Sequence, residues 1–304
     1  MQIAEHFPHL ARAMDDVALI RSMTGTQLDH QGASSLLRPG YAARESDRDP
    51  ALGAVAGARL AEGAAVVPPF VRIGDPPPTA RRGRLLAKPN HPRQARSLSA
   101  QWTEAISPSG NASPTGVAST HPAWDLDCED PAVCASYGTS DFGQGCLLAR
   151  RLVEAGIPLI EVSLGDWDTH VDHFRRSAAL AAQVDRPFTQ LLMDLKQRGL
   201  LDTTLVVWMG EFGRTPRINA RGGRDHFPDA FNVALAGGGV RGGQIIGQTD
   251  AGGNQVTERP VSTHDLNRSI CHALGIAPDS KSLTSEEHPM QVASGGQVVW
   301  ELFG

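Results

Sequence analysis

The chain has 304 residues, 40% of them hydrophobic and 20% charged, and a formal net charge of -5. That length suits one large α/β domain or two small ones with a sizeable core, and the mild acidity with scattered arginines argues against a nucleic-acid binder. No run approaches the roughly 18 apolar residues of a membrane span, the acidic start MQIAEHFPHLARAMDD lacks the basic and apolar regions of a signal peptide, and Cys128, Cys134, Cys146 and Cys271 form no CxxC pair and so no zinc knuckle.

In chain order, Ala4 to Met14 is predicted as a short helix and Val17 to Ser22 as a strand, with Asp29 and His30 just beyond it. Ser34 to Leu37 reads as a helical turn. From Gly40 to Pro131 the pattern weakens, because Pro68-Pro69, Pro76-Pro77-Pro78 and the Ser/Pro/Gly stretch 107–122 break any long element. One apolar run there, Val66 to Ile73, is expected as an edge strand on account of its prolines. Residues 41–131 are therefore read as a loop-rich insertion or lid within a single domain spanning 1–304. Cys128 and Cys134 lie in a loop where a disulfide is possible in an oxidising compartment, whereas Cys146 and Cys271 fall in helical patterns and are expected to be buried.

Beyond Asp141 the periodicity is strong. Phe142 to Ala155 is predicted as a helix stopped by Gly156, Ile157 to Leu164 as a strand, and Gly165 to His173 as a polar loop. Phe174 to Arg198 is a long amphipathic helix with a kink expected near Pro187, and Thr204 to Met209 is the next strand. A glycine-rich excursion then leads to a further strand, Phe231 to Ala236, and Gly237-Gly238-Gly239 is read as a tight hairpin. Ser262 to Leu274 is a helix with Ser262 or Thr263 at its N-cap. Alternating helices and strands point to a parallel sheet covered by helices.

Ligands of such sheets bind beyond the carboxyl ends of the strands. Two predicted strand ends carry suitable groups. One is Asp166-Trp167-Asp168-Thr169-His170, followed by Asp172 and His173; the other is Glu211 with Arg214. Asp225 and His226 precede Phe231 to Ala236. If that strand runs antiparallel at the sheet edge, its start meets the other two loops. Carboxylates and imidazoles from three separate loops suit zinc or manganese, and magnesium or calcium less well because of the histidines. The plainer reading is open at each position: Asp168 and His170 beside a helix N-cap at Thr169 or Asp172, Glu211 paired to Arg214, and His226 hydrogen-bonded to Asp225. The joint occurrence in three loops favours a site.

The motifs GDWDTH, WMGEFGRTPRIN, GRDHFPDAFNVALAGGGVRGG and the helix FGQGCLLARRLVEAG resemble a sulfatase-like family of domains of unknown function in the alkaline phosphatase superfamily. The likeness is dense from Ala132 to Asp279, returns in the terminal VVWELF and in the early PHLARAMDDVALIRSMTG, and is thin between Arg44 and Asp130. It implies a three-layer α/β fold with a mainly parallel sheet, and metal ions that activate a nucleophile and stabilise charge on a phosphate or sulfate ester. By motif, the resemblance makes Asp168, His170, Glu211, His226 and Asp225 metal ligands and places Arg214 on the substrate anion. The nucleophile of such enzymes stands at the helix start after the second strand; here that region reads Thr24-Gly25-Thr26-Gln27-Leu28-Asp29-His30-Gln31, with Asp29 and His30 the catalytic candidates. Asp166 and His173 replace the family's usual Gly and Asn. Family members carry a twin-arginine export signal and a first strand ending in an aspartate loop. This chain is accordingly expected to be an N-terminally truncated member, cytoplasmic as written where relatives are periplasmic. Two functions follow: a metal-dependent hydrolase acting on a small-molecule, glycan or lipid ester, or a degenerate, non-catalytic member that binds metal or serves as a structural or interaction protein.

Overall fold

In the computed structural model of the chain, the described residues are 3–37, 56, 60, 70–74, 103–106, 112–113, 122–277, 281–283, 289–291 and 295–304. Most of the 41–131 segment read as an insertion thus lies outside them. The first strand, β1 (Val17–Thr24), leads through a short loop into helix α1 (His30–Leu37). Strands β2 (Phe70–Ile73), β3 (Thr103–Ile106) and β4 (Ala112–Ser113) follow, then helices α2 (Pro131–Tyr137) and α3 (Asp141–Glu154), and strand β5 (Ile160–Val162). Helix α4 (His173–Gln197) precedes β6 (Val206–Trp208), the two-residue strands β7 (Gly213–Arg214) and β8 (His226–Phe227), and β9 (Phe231–Ala236). The chain closes with β10 (Ile245–Ile246), β11 (Gln248–Thr249), β12 (Val256–Glu258), β13 (Val261–Ser262), helix α5 (Thr263–Ala273), the paired strands β14 (Lys281–Leu283) and β15 (Pro289–Gln291), and the 3-10 turn Trp300–Leu302.

Two sheets form. One has the order β10-β1-β9-β6, with β13 also on β1; the other has the order β4-β3-β2-β5. Both are mixed, which corrects the mainly parallel expectation. Parallel pairs are β1 with β10, β1 with β13 and β2 with β5. By contrast β9 is antiparallel to both β1 and β6, and β3 to both β2 and β4. The reason lies in the connections. A parallel neighbour needs a crossover, usually a helix, but the chain between β6 and β9 holds only the β7–β8 ribbon.

Two strands expected at edges are interior. Phe231–Ala236 lies between β1 and β6, and Phe70–Ile73 between β3 and β5. In the second case Pro68 and Pro69 precede the paired residues, so they cost the ladder no donor. The three glycines after β9 make no hairpin either, because β9 and β10 flank β1 on opposite sides. Gly237 at φ +67 packs so closely that an added Cβ would meet the Leu201 carbonyl oxygen at 2.3 Å.

The strands of the first sheet read as apolar runs because both faces are covered. Val17, Ala234 and Ala236 face a core with Leu147, Leu148 and Leu152 of α3 and Leu191, Leu192 and Leu195 of α4. Their neighbours Ala18, Ile20, Val233 and Leu235 face another with Leu266 of α5, Val299 and Leu302. Val71, Ile73, Ile160 and Val162 from the second sheet share the first core. Trp208 packs there too, 5.4 Å from the Phe7 ring and 5.3 Å from Phe188.

Local chemistry explains the remaining differences. Ala4 to Met14 forms the 3-10 turns Leu10–Arg12 and Met14–Asp16, not one helix. Pro8 lacks an N–H, and the buried Asp185 carboxylate accepts from the His9 and Leu10 amides at 2.9 and 2.8 Å. Helix α4 runs through Pro187 without a break. Cys128 and Cys134 are both free thiols, as are buried Cys146 and Cys271. Near α3, Arg150 is 1% exposed and spans Glu129 and Glu154, each at 2.7 Å.

Candidate metal centre

β1 and β6 both run antiparallel to β9, so their carboxyl ends and the start of β9 share one edge of the sheet. The loop after β1 brings His30 to that edge, the loop after β6 brings Glu211, and β8 brings His226. The loop after β5 adds Asp168 and His170. This loop is held in place by backbone: Val171 bridges Gly222, and Arg224 N–H donates to the Thr169 carbonyl at 3.1 Å. Asp166 and Asp172 at its two ends take φ values of 68 and 51, conformations unfavourable for a side chain with a Cβ.

Asp168 Oδ1 is the hub. Around it stand His170 Nε2 at 3.1 Å, His226 Nε2 at 3.2 Å, His30 Nε2 at 3.4 Å and Arg214 Nη2 at 2.6 Å. Burial alone would raise the Asp168 pKa, but the hydrogen bond and the charge of Arg214 help to outweigh it, and the carboxyl is held at about 2. It is therefore an anion throughout the neutral range.

The other ring nitrogen of each histidine faces an acceptor. His30 Nδ1 is 2.6 Å from Glu211 Oε1, His170 Nδ1 is 2.8 Å from Asp225 Oδ1, and His226 Nδ1 is 2.5 Å from the Leu28 carbonyl oxygen. Those contacts place the protons on Nδ1 and turn the Nε2 lone pairs inward, the arrangement in which an outer carboxylate or carbonyl fixes a metal-binding imidazole. The consequence is a cluster of acceptors. His170 and His226 present Nε2 to Nε2 at 3.0 Å, and His30 Nε2 is buried without a hydrogen-bond partner. Facing lone pairs around a carboxylate are stable with a cation between them. His30, Asp168 and His226 offer ligand atoms within 4.8 Å of one another and can hold a metal ion.

The site residues expected from the sequence divide accordingly. Asp168, His170 and His226 converge on one point; Glu211 and Asp225 sit one layer out, each on a histidine. Arg214, placed on the substrate anion by the resemblance and paired to Glu211 in the plainer reading, pairs with Asp168 and lies 5.7 Å from the Phe212 ring centre. Asp29 accepts from the Gly32 amide at 2.8 Å, capping α1 outside the cluster. Asp166 stays out, its carbonyl accepting from Arg176. His173 turns to the hydroxyls of Thr169 and Ser177, and burial, with the charges of Arg224 and Arg214, holds its pKa below the usual imidazole range. Asp172 occupies the N-cap of α4 without making a cap hydrogen bond and pairs with Arg175 at 2.5 Å. Two contributors lie within the WMGEFGRTPRIN motif, although the motif assigns them no role. Phe212 packs against His226 and His30, with ring centres 4.4 and 5.1 Å apart, and Asn219 ties Asp225 Oδ1 at 3.0 Å to the His170 carbonyl at 3.1 Å.

The profile of the family described as "Protein of unknown function (DUF1501)" matches residues 1–105 and 81–303. No curated protein matches the chain by sequence. Among solved structures, the crystal structure of Ps i-CgsB is similar at 12% identity and a TM-score of 0.50, covering 98% of this chain and 70% of that one. A PsFucS1 sulfatase from Pseudoalteromonas sp. is 11% identical with a TM-score of 0.48, covering 89% of this chain and 62% of that one. The phosphonate monoester hydrolase SpPMH from Silicibacter pomeroyi is 12% identical with a TM-score of 0.46, covering 98% of this chain and 72% of that one.

Proposed function

The chain belongs to the DUF1501 family, and on that premise, together with a mixed α/β fold similar to that of Ps i-CgsB and motifs that resemble sulfatase-like domains, we propose that it is a metal-dependent hydrolase of a phosphate or sulfate ester. The observation that carries the reading is the triple inward turn of imidazoles: three Nδ1 atoms tied to Glu211, Asp225 and the Leu28 carbonyl, three Nε2 atoms facing one carboxylate oxygen.

In this reading Asp168 and the Nε2 atoms of His30, His170 and His226 hold a divalent metal. A set of three imidazoles and one carboxylate favours zinc or manganese over magnesium or calcium. Bound there, the metal supplies Lewis acidity for the ester oxygens and lowers the pKa of a coordinated water. Glu211 and Asp225 keep His30 and His170 in the ligating tautomer and are positioning residues, not ligands. Arg214 shares Asp168 Oδ1 with the three histidines. Once that oxygen is engaged, its guanidinium is free to turn to the substrate anion, and its five-donor fork suits a sulfuryl or phosphoryl group. The substrate is a small-molecule, glycan or lipid ester; among the described residues no helix is long and apolar enough to cross a membrane.

A second reading has its own support. Of the expected nucleophile candidates, Asp29 is taken up by capping α1 and His30 by the metal cluster. A metal-binding member without turnover fits that arrangement. The test is to strip the full chain with a chelator, reload it with zinc or manganese, and assay p-nitrophenyl phosphate and p-nitrophenyl sulfate. Turnover that appears with metal and disappears in His226→Ala supports the hydrolase. Stoichiometric metal without turnover of either ester supports the second reading, and a chain that takes up neither metal contradicts both.

A further inference from the structure

Between β7 and β8 the chain makes a loop whose polar groups are almost all used internally. Thr215 Oγ1 donates to the Arg217 carbonyl at 2.8 Å and accepts from the Asp225 amide at 3.0 Å. The Asn219 amide group donates to the His170 carbonyl and to Asp225 Oδ1, while its oxygen accepts from the Arg221 and Gly223 amides, both at 2.9 Å. The loop is therefore a preformed wall. It borders an open hollow of about 310 Å³ lined by Thr215, Arg217, Ile218, Asn219, Ala220 and Asp225.

Two groups in this hollow stay unengaged. Among the described residues the Arg217 guanidinium has no hydrogen-bond or ion-pair partner. Asp225 uses Oδ1 for both His170 and Asn219, which leaves Oδ2 free, and its side chain is 53% exposed. A residue with a planar fork of donors and one with a carboxylate acceptor thus line the same open hollow, beside Ile218 and Ala220. The first recognises a carboxylate, sulfate or phosphate in bidentate fashion. The second accepts only from hydroxyl or amine hydrogens. The lining has no aromatic ring on which a base or an aryl group would stack, and its walls are too polar for an acyl chain. The volume lies at the low end of ligand pockets, which run from about 300 to 1,000 Å³, and suits one compact unit. Asp225 adjoins His226 in sequence and holds His170 directly, so a unit seated here sits next to the metal cluster.

We propose that this hollow is a subsite for the alcohol side of the ester, and that it selects a compact hydroxylated unit carrying an anionic group of its own, such as a uronic acid. The proposal names a substrate class for the hydrolase reading and rests on it. Arg217 is then a specificity residue: it reads the second anion and does not touch the scissile bond. Asp225 has two faces, one orienting His170 and the other accepting from a hydroxyl of the bound unit.

Direct binding to the full chain, kept metal-free with chelator, tests the subsite apart from catalysis. Calorimetric titration with methyl glucuronide is expected to saturate, with an affinity at least about tenfold above that for methyl glucoside, the gain expected of one charge-assisted bidentate contact. Arg217→Glu should erase that preference. Ala220→Trp, which fills the hollow from an exposed position, should weaken both sugars. Equal affinity for the two sugars, no saturable binding, or glucuronide binding that survives both substitutions overturns the subsite. Neither metal nor turnover enters this measurement, so its failure leaves the hydrolase reading standing, and a failed metal-loading assay leaves the titration interpretable.

Discussion

The site depends on single atoms whose roles follow from what stands behind them. Glu211 contacts His30 Nδ1 and nothing else in the cluster, yet it decides which nitrogen of that ring points inward. Glu211→Ala should lower zinc or manganese affinity by about 10- to 100-fold, as loss of an outer partner of a ligating histidine does, and a competition titration against a chelator reads this directly. Arg214→Ala should leave metal content intact and lower kcat/KM for an anionic ester by about 10- to 100-fold, the range for one charge-assisted hydrogen bond; an equal loss of metal would mean that Arg214 only holds Asp168 in place. His170, Asp168 and His226 were legible in the sequence because each lies in a loop already rich in carboxylate and imidazole. His30 was legible only as a catalytic candidate. Its partner Glu211 is 181 residues away, and no local pattern announces a contact of that range. The same holds for the Leu28 carbonyl behind His226, a backbone atom that any residue would supply.

At the scale of elements, helix α3 is anchored to the segment before α2 by charge. Glu129 receives Arg150 at 2.7 Å and also pairs with Arg151, and its side chain is only 12% exposed. Burial by itself would raise the Glu129 pKa; hydrogen bonds from both arginines, and their charges, bring it below the usual glutamate range. A carboxylate with a depressed folded pKa stabilises the protein above its unfolded value of about 4.3 and loses that contribution as pH falls through the folded value. The urea midpoint should therefore fall on acidification below that point. Glu129→Gln should show a shallower acid limb and lose less at neutral pH than the roughly 3–5 kcal/mol of a fully uncompensated buried charge, because Arg150 keeps Glu154 at 2.7 Å. An unchanged acid limb would place the titration elsewhere. The elements were largely visible beforehand. The Phe231 to Ala236 run is apolar on both faces and ends at glycines, so its existence and bounds could be read. Its place between β1 and β6 could not, because strand order is set by pairing partners more than 20 residues distant in β6 and more than 200 distant in β1.

For the whole molecule, the sequence pattern conveyed a sheet covered by helices and a site at the strand ends. It overstated the parallel character of the sheet, though Phe231 to Ala236 does run antiparallel, as the convergence of the three loops required; periodicity reports burial and carries no information on whether a neighbour runs parallel or antiparallel. The proposed metal cluster links these scales. Its ligands come from the loops after β1 and β5 and from β8, so a cation there ties together both sheets and the β7–β8 ribbon. Binding of zinc or manganese at about 100 times its dissociation constant should stabilise the fold by about 2.7 kcal/mol, seen as a higher melting temperature that chelator reverses. His226→Ala should abolish that shift.

The most direct test of the central claim is anomalous diffraction from crystals soaked with zinc or manganese. The account predicts a peak bound by Nε2 of His30, His170 and His226 and by Oδ1 of Asp168, with Glu211 and Asp225 still on the Nδ1 atoms. A peak coordinated by Glu211 or Asp225 in place of His30 and His170, or no peak at this edge of the sheet, would contradict it.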